Sequence, residues 1–206
     1  MTNLVLARHG ETVWHAENRY AGVNDIALTP RGVAQAQHLA AWARHSNLSG
    51  VWASTLRRAQ QTALACAGVS GTPLQVDARL RELDFGKGEG RTSAQMHDRF
   101  PDARNAFEDD PVAHHLPGGE DPAEAAARFV ECLGEIVHAD PDGRVLVVAH
   151  STVIRLAFCQ LINVPLRQYR RLFPGLRNCG LTELRIRDGE VAVIEFNSPI
   201  EPEGKQ

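Results

Sequence analysis

Val145-Leu146-Val147-Val148-Ala149-His150-Ser151 joins a run of five apolar residues to a histidine at its end. An uninterrupted apolar run of this length, rich in β-branched residues, is typical of a central strand that is covered on both faces. Leu4-Val5-Leu6-Ala7-Arg8-His9-Gly10 shows a similar pattern near the start of the chain. Two predicted strands are therefore followed by a histidine at almost the same position.

The rest of the chain alternates between strand and helix patterns. Thr29 and Pro30 are typical of a helix start, as a cap and a first helical residue, and Asp121 with Pro122 repeats this signal. Gly68 is expected to end a helix that begins at Arg57, and Ser151 is expected to cap the helix after the apolar run. We predict further strands at 51–53 and 74–76, a hairpin of 181–186 with 191–196, and one short helix near 94–100. Alternating strands and helices indicate a layered α/β fold.

Length and charge exclude several classes of protein. A chain of 206 residues predicts one domain; we assign it to 1–198, with an irregular cap at about 86–120 and a polar tail at 199–206. The 22 basic and 25 acidic residues give a net charge of −3, which does not suggest a nucleic-acid partner. No apolar run approaches the ~20 residues of a membrane helix, and the N-terminal run is too short for a signal peptide. We therefore expect a cytoplasmic protein with no membrane partner.

The four cysteines are widely scattered along the chain. None of them forms a C-x-x-C pair, so the spacing suggests neither a zinc site nor a disulfide framework. We expect all four to be small apolar residues of the core. The adjacent histidines at 114–115 have no third ligand at a suitable spacing, and we interpret them as a solvated loop.

Four polar groups follow predicted strands. Arg8 and His9 follow the first strand, Arg58 the second, Glu82 the third, and His150 the apolar run. Because ligands of open α/β sheets bind beyond the carboxyl ends of strands, these side chains are expected to converge. A neutral imidazole can attack phosphorus, guanidiniums grip phosphate oxygens, and a carboxylic acid can protonate a leaving alkoxide. The set is sufficient for phosphoryl transfer without a metal.

Five motifs in order resemble the histidine phosphatase (phosphoglycerate mutase-like) superfamily. They are Arg8-His9-Gly10-Glu11-Thr12, D-x-x-L-T-x-x-G at 25–32, S-x-L-x-R-A-x-x-T at 54–62, E-x-x-F-G at 82–86, and the strand that ends at His150. The resemblance spans about residues 4–185. It implies an α/β fold of the phosphoglycerate mutase-like type, a three-layer α/β/α sandwich with a mostly parallel central sheet. It also implies that the protein uses no metal or other cofactor.

The resemblance assigns a role to each matching residue. His9 is expected to be the nucleophile that becomes phosphohistidine, and Glu82 the proton donor. Arg8, Arg58 and His150 are expected to line the phosphate pocket, and the helix start at Ser151 is expected to contribute to it.

Three positions depart from the family pattern. His15 follows Trp14 where many members have asparagine, so it either donates to the phosphoryl group in place of that amide or leaves the contact vacant. Ala21 stands where a hydroxyl is usual, and Ser151 replaces the glycine that usually follows the second histidine. The candidate substrate-binding residues are Thr12, His15, Ala21, Gly22 and Ser151.

The function that we predict is hydrolysis of a small phosphorylated metabolite through a phosphohistidine. The short chain, the acid motif at 82–86 and the segment at 116–120 resemble the phosphatase branches more than the mutases. The alternatives are phosphoglycerate mutase-type transfer, a non-catalytic phospho-ligand-binding module, and a metallohydrolase that uses His9, His150 and Glu82. The alcohol part of the substrate is open. An exposed edge strand in the C-terminal hairpin makes a homodimer one option.

Overall fold

A computed structural model describes residues 1–200. Within them, six strands form one sheet in the order β3-β2-β4-β1-β5-β6. The first four strands in chain order run parallel, whereas the C-terminal hairpin of β5 and β6 is antiparallel. The strands are β1 (Thr2–Arg8), β2 (Gly50–Ser54), β3 (Leu74–Asp77), β4 (Arg144–Ala149), β5 (Leu181–Arg187) and β6 (Glu190–Ser198). The apolar run of 145–149 is therefore a central strand, as predicted.

The helices connect the strands and cover both faces of the sheet. Their bounds are α1 (Pro30–Ala43), α2 (Arg57–Ser70), α3 (Ser93–Arg99), α4 (Pro101–Asp109), α5 (Pro122–Ala139), α6 (Ser151–Leu161) and α7 (Tyr169–Leu172). Thr29 and Asp121 cap α1 and α5 through their side chains, as the sequence predicts. No helix within residues 1–200 has both the length and the apolar character needed to cross a membrane.

Alternation along the central strands divides the core into two layers. Leu4 and Leu6 of β1 pack with residues of α5 and α6 on one face of the sheet. Val5 and Ala7 pack with residues of α1 and α2 on the opposite face. Because successive side chains of a strand point to opposite faces, an apolar run with both faces covered separates two helical layers. The prediction of a three-layer α/β/α sandwich is confirmed.

The end of α2 was predicted wrongly. The helix passes Gly68 and ends at Ser70, and Gly71 takes a left-handed conformation with φ 73°. Glycine carries little steric cost in that conformation, so it commonly closes helices. A Cβ on Gly68 would meet nothing within 4 Å, and this glycine is simply an internal helical residue.

The segment at 86–120 contains more helix than predicted. The expected short helix is α3, but a second helix, α4, follows it directly with Pro101 at its first turn. Proline is favoured at the start of a helix, where its missing N–H costs nothing, so this signal was present in the sequence. The buried side chains of Met96 and Phe107 anchor the two helices in a separate small apolar cluster.

All four cysteines are buried, which confirms their prediction as core residues. Of the predicted polar tail, residues 201–206 lie outside the described residues, and Ile200 packs against the α1–α2 side of the core. Strand β6 lies at the edge of the sheet. The homodimer and the domain boundary at 198 stay predictions.

Candidate active site

The parallel pairing of β1 with β4 brings the two strand-end histidines together. Arg8 lies opposite Ala149 in this ladder, and the His9 N–H donates to the Ala149 carbonyl at 3.0 Å. The imidazole rings of His9 and His150 have centroids 5.1 Å apart. The convergence predicted from the two apolar runs is therefore present in the fold.

The turn after β1 is held against the start of α1 by two glycines. A Cβ on Gly10 would lie 2.4 Å from the Gly32 carbonyl oxygen, and one on Gly32 would lie 2.0 Å from the Glu11 carbonyl oxygen. Both approaches involve backbone, which cannot move aside cheaply. Thr29 also donates to a Glu11 carboxylate oxygen at 2.9 Å. This close contact fixes the backbone on which His9 is carried.

The hydrogen bonds of His9 assign its tautomer. Its Nδ1 lies 2.7 Å from the Gly10 carbonyl oxygen, which can only accept. The Arg58 Nε, which can only donate, faces Nε2 at 3.2 Å. The proton is therefore on Nδ1, and the lone pair is on Nε2. His9 carries its lone pair on the nitrogen that faces away from its own backbone.

His9 is held in its neutral form. Burial lowers the pKa of His9 well below its usual value of 6.5, and the positive charges of Arg58 and Arg8 act in the same direction. A protonated imidazole would have no lone pair on Nε2. Burial and the surrounding cations therefore keep the lone pair on Nε2 unprotonated.

Arg58 is fully buried and lies behind His9 rather than in the cavity wall. Its Nη atoms donate to the carbonyl oxygens of Asn24 and Gly22, both at 2.7 Å, while its Nε faces His9. Gly22 does not line the cavity either. Its N–H donates to the Glu89 carboxylate at 3.1 Å, and a Cβ there would lie 1.9 Å from that carboxylate. Gly22 thus positions Arg58, a role that differs from the predicted contact with substrate.

His150 is also fully buried and, contrary to the prediction, is not among the residues that line the cavity; its ring centre lies 5.1 Å from that of His9. Its Nε2 lies 2.7 Å from the Ser54 hydroxyl, and that hydroxyl accepts from the Leu56 N–H at 3.3 Å. Its Nδ1 has no hydrogen-bond partner. Burial lowers the pKa of His150 well below 6.5, with Arg58, His9 and Arg8 contributing. An unpaired buried nitrogen is costly, so it marks a place where a ligand atom can bind.

Arg8 is the second cation beside His9. Its Nη1 donates to the Leu176 carbonyl at 2.8 Å, its Nη2 lies 2.5 Å from His15 Nε2, and its Nε has no partner. Burial, with Arg155 and Arg58 adding repulsion, lowers the pKa of Arg8 to about 10, so it stays charged at neutral pH. Because arginine only donates, His15 Nε2 accepts this bond. His15 lines the cavity and binds Arg8, an arrangement that neither of the two sequence-based options included.

Glu82 caps α6, which corrects the prediction that Ser151 is the cap. Its carboxylate accepts from the N–H groups of Thr152 at 2.9 Å and Val153 at 2.8 Å, and from Leu83 at 2.9 Å. The N-cap residue is His150, whose side chain makes no capping bond, and Ser151 is the first residue of the helix. A carboxylate is a favourable partner for the free N–H groups and positive dipole of a helix start. The Glu82 carboxylate is thereby anchored at the start of α6.

A cavity of about 460 Å³ opens above His9. Seven predicted residues line it: Arg8, His9, Thr12, His15, Ala21, Glu82 and Ser151. Nine further residues line it that were not among the predicted site residues: Trp14, Asn18, Arg19, Tyr20, Phe85, Thr152, Arg155, Arg170 and Pro174. The sequence did contain a signal for Arg155, because it is a lone charge in the otherwise uncharged helix 151–161. Among residues 1–200, no three His, Cys, Asp or Glu side chains are grouped so that they could hold a metal ion.

This fold, with a histidine and arginine centre at the carboxyl ends of its parallel strands, is that of the phosphoglycerate mutase-like proteins. The family model described as histidine phosphatase superfamily (branch 1) matches residues 4–199. The chain belongs to that superfamily, and the resemblance inferred from the motifs is confirmed.

Individual relatives differ in their stated activities. A probable phosphoglycerate mutase, GpmB, of Enterobacter sp. (strain 638) is 33% identical over 184 residues, which cover 89% of this chain and 85% of the relative. The solved structure of YhfR from Bacillus stearothermophilus matches with a TM-score of 0.92 at 29% identity, covering 98% of this chain and all of the other. Mycobacterial glucosyl-3-phosphoglycerate phosphatase, solved with VO3, matches with a TM-score of 0.87 at 29% identity, covering 96% and 99%.

Proposed function

We propose that the protein is a metal-independent phosphomonoesterase that acts on a small phosphorylated metabolite through a phosphohistidine at His9. The observation that carries this proposal is the state of His9, whose Nδ1 proton is committed to the Gly10 carbonyl. Its Nε2 lone pair is kept available because burial and the neighbouring cations lower the pKa of the ring and hold it neutral. A neutral histidine amid fixed arginines is suited to attack an anionic phosphoryl group.

Two side-chain nitrogens near His9 are free to bind the oxygens of a phosphoryl group. The Arg8 Nε and the His150 Nδ1 are buried and make no hydrogen bond. If the Ser54 hydroxyl donates to His150 Nε2, the remaining proton of that ring is on Nδ1, where an oxygen of the substrate can accept it. Arg58 Nε, which faces His9 Nε2, can move its hydrogen bond to a phosphoryl oxygen when the substrate enters. The site thus supplies donors for an anion before the anion arrives.

The proposed reaction has two steps. In the first, His9 Nε2 bonds to phosphorus, the bond from phosphorus to the ester oxygen breaks, and the protonated carboxyl of Glu82 gives its proton to the departing alkoxide. In the second, the oxygen of a water bonds to phosphorus, the bond from phosphorus to His9 Nε2 breaks, the Glu82 carboxylate takes the water proton, and inorganic phosphate leaves. General acid–base help of this kind contributes roughly 10²–10⁴-fold to a rate.

The experiment compares phosphate release by the parent, His9→Ala and the control His114→Ala, which replaces an exposed histidine outside the cavity. We expect the His9 variant to lose activity by far more than tenfold and the control to match the parent. Rapid quenching of the parent should trap a label that is stable to base and labile to acid. Activity of His9→Ala within tenfold of the parent would overturn the nucleophile, and loss of all activity in chelator would overturn the metal-free reaction.

A mutase is the second candidate, because relatives about one third identical carry that name. A mutase retains the phosphoryl group on His9 and returns it to a second hydroxyl, whereas a phosphatase passes it to water. Incubation with 2- and 3-phosphoglycerate separates the two reactions. Isomerisation without phosphate release would favour the mutase, and phosphate release without isomerisation favours our proposal.

A further inference from the structure

Residues 21–24 form a loop that lies between two opposite charges. One charge is the guanidinium of Arg58, which is fully buried behind His9. The other is the carboxylate of Glu89, the residue that directly follows a 3₁₀ turn at Gly86–Gly88. Glu89 does not line the cavity, so a role in the reaction has to act through other residues.

Two successive peptide groups of this loop connect the two charges. The first joins Ala21 to Gly22, and the second joins Gly22 to Val23. In the first, the N–H donates to Glu89 Oε2 at 3.1 Å and the carbonyl accepts from Arg58 Nη2 at 3.3 Å. In the second, the N–H donates to Glu89 Oε1 at 3.2 Å and the carbonyl accepts from Arg58 Nη2 at 2.7 Å. Each peptide dipole therefore has its positive end at the carboxylate and its negative end at the guanidinium, which is the favourable orientation.

The Glu89 carboxylate accepts two further hydrogen bonds. One comes from the Asn24 side-chain amide at 2.8 Å, and the Asn24 carbonyl in turn accepts from Arg58 Nη1 at 2.7 Å. The other comes from the Phe85 N–H at 3.1 Å, so the same carboxylate joins the loop to the acid motif at 82–86. Hydrogen bonds to a charged group are about twice as strong as neutral ones. Four donors on one carboxylate therefore hold the loop firmly in place.

Arg58 depends on this loop for its position and its charge. Its four hydrogen bonds go to three carbonyl oxygens of the loop and to His9 Nε2, and none of these partners carries a negative charge. Burial lowers the pKa of Arg58. The charges of Glu82, Glu89 and Asp25 raise this pKa and so oppose the effect of burial. Glu89 is also linked to the guanidinium through the two peptide groups, so a change at Glu89 alters both the position of Arg58 and its surroundings.

From this geometry we infer that Glu89 is a positioning residue for the reaction, because its carboxylate holds Arg58 against His9 through the intervening loop. The inference rests on the proposed function, in which His9 is the nucleophile and Arg58 Nε donates to a phosphoryl oxygen. Glu89 exchanges no proton with the substrate in this role. Without its charge, Arg58 is less firmly fixed and stabilises an anion at His9 less well, since donors act most strongly when they are preorganised.

Glu89→Gln tests the inference, because glutamine keeps the length of the side chain and loses the charge. With para-nitrophenyl phosphate as the substrate, we expect kcat/KM to fall at least tenfold, since hydrogen bonds to a charged group contribute on that scale. Glu183→Gln is the matched control, because it removes a buried carboxylate whose partner is Arg144, at the start of β4 and away from the histidines. Equal losses in both variants, or a Glu89 variant within twofold of the parent, would overturn the inference.

The Nε–H of Arg58 reports the position of this side chain without turnover. In the parent it is buried and faces His9, so its exchange with solvent, followed by proton–nitrogen NMR, should be slow. Arg58→Met lacks this group and assigns its signal. We expect exchange at least tenfold faster in Glu89→Gln and unchanged in Glu183→Gln. Unaltered exchange in Glu89→Gln would overturn the inference even where kcat/KM falls.

Asn24→Ala is a milder change to the same contact. It removes one of the four donors to the Glu89 carboxylate, and because Asn24 is exposed the fold is expected to tolerate it. Its kcat/KM should fall and its Arg58 Nε–H exchange should quicken, both by less than in Glu89→Gln. If Glu89→Gln does not fold, unchanged exchange in Asn24→Ala would overturn the inference.

A double-mutant cycle separates action through Arg58 from an independent effect. In an Arg58→Met background, Glu89→Gln should change kcat/KM by less than twofold, since an effect that passes through Arg58 cannot be lost twice. The full further loss in that background would contradict the inference. A parent that releases no phosphate would overturn the proposed function instead, and the exchange of the Arg58 Nε–H would then decide whether Glu89 positions Arg58.

Discussion

Replacement of His15 tests how Arg8 is positioned for a phosphoryl group. In the structure, His15 Nε2 accepts from Arg8 Nη2 at 2.5 Å, and Arg8 has one other partner, the Leu176 carbonyl. A hydrogen bond to a charged group is worth about 1.5–3 kcal/mol, which corresponds to roughly a 10- to 150-fold change. We therefore expect His15→Ala to lower kcat/KM for a phosphomonoester by about that factor. His15→Gln should recover much of the loss, because its amide oxygen can reach the position of Nε2.

The pH dependence of activity provides a second test of the hydrogen bond between Arg8 and His15. Burial and the charge of Arg8 lower the pKa of His15 below 6.5, and those of His9 and His150 are lowered further. As pH falls, His15 is thus the first of the three to gain a proton, and an imidazolium cannot accept from Arg8. The parent should lose activity on the acid side through this step.

Steady-state kinetics between pH 4.5 and 8 would measure both effects, with His114→Gln as the control for an exposed histidine. We expect the acid limb of His15→Gln to move to lower pH, since glutamine does not titrate. A His15→Ala variant within twofold of the parent, or an acid limb that does not move in His15→Gln, would refute the positioning of Arg8 by His15.

Three further outcomes concern stability and reactivity. Gly10→Ala should lower the free energy of unfolding in urea by at least 1–3 kcal/mol, because its Cβ would lie 2.4 Å from the Gly32 carbonyl; equal losses in the control Gly68→Ala would argue against this contact. Since the buried His9 and His150 have lowered pKa values, the unfolded chain binds more protons below pH 6.5, and stability should fall by about 1.4 kcal/mol per pH unit for each as pH decreases; a urea midpoint that does not change from pH 7 to 5.5 would contradict it. Burial raises the pKa values of the four thiols to between about 11 and 12, so a disulfide reagent should label them only after unfolding, and rapid labelling of the native protein would show otherwise. The thiols are those of Cys66, Cys132, Cys159 and Cys179.

The convergence of the site could be predicted because it follows from topology. Two apolar runs that each end in a histidine imply parallel central strands, and parallel strands present their carboxyl ends at one edge. The contacts of Gly22 and His15 could not be predicted in this way. Each depends on which donor meets which acceptor after the loops have packed. The Gly22 carbonyl, for example, accepts a hydrogen bond from Arg58, whereas the sequence predicted that Gly22 contacts the substrate.

The capping of α6 shows the same limit more sharply. Ser151 has the right chemistry for a cap, and local sequence favours it. Glu82 takes that position from 69 residues away, because its carboxylate satisfies two N–H groups of the helix at once. The local preference for serine as a helix cap therefore gave the wrong cap for α6, next to the candidate active site. Conflicts of this kind between local preference and observed structure are expected at functional sites.

The buried histidines and arginines of the site also constrain one another. If both histidines were protonated, they and the two arginines would be four positive charges close together in a dry interior, and these would repel strongly. The structure avoids that cost by keeping His9 and His150 neutral. The same neutrality gives His9 its lone pair, while Arg8 and Arg58 keep the charge that an anion needs. An arriving phosphoryl dianion reverses the balance, because its charge favours protonation of nearby imidazoles. In the reaction that we propose, His9 Nε2 must therefore attack phosphorus before it gains a proton, and burial of the ring away from water favours that order.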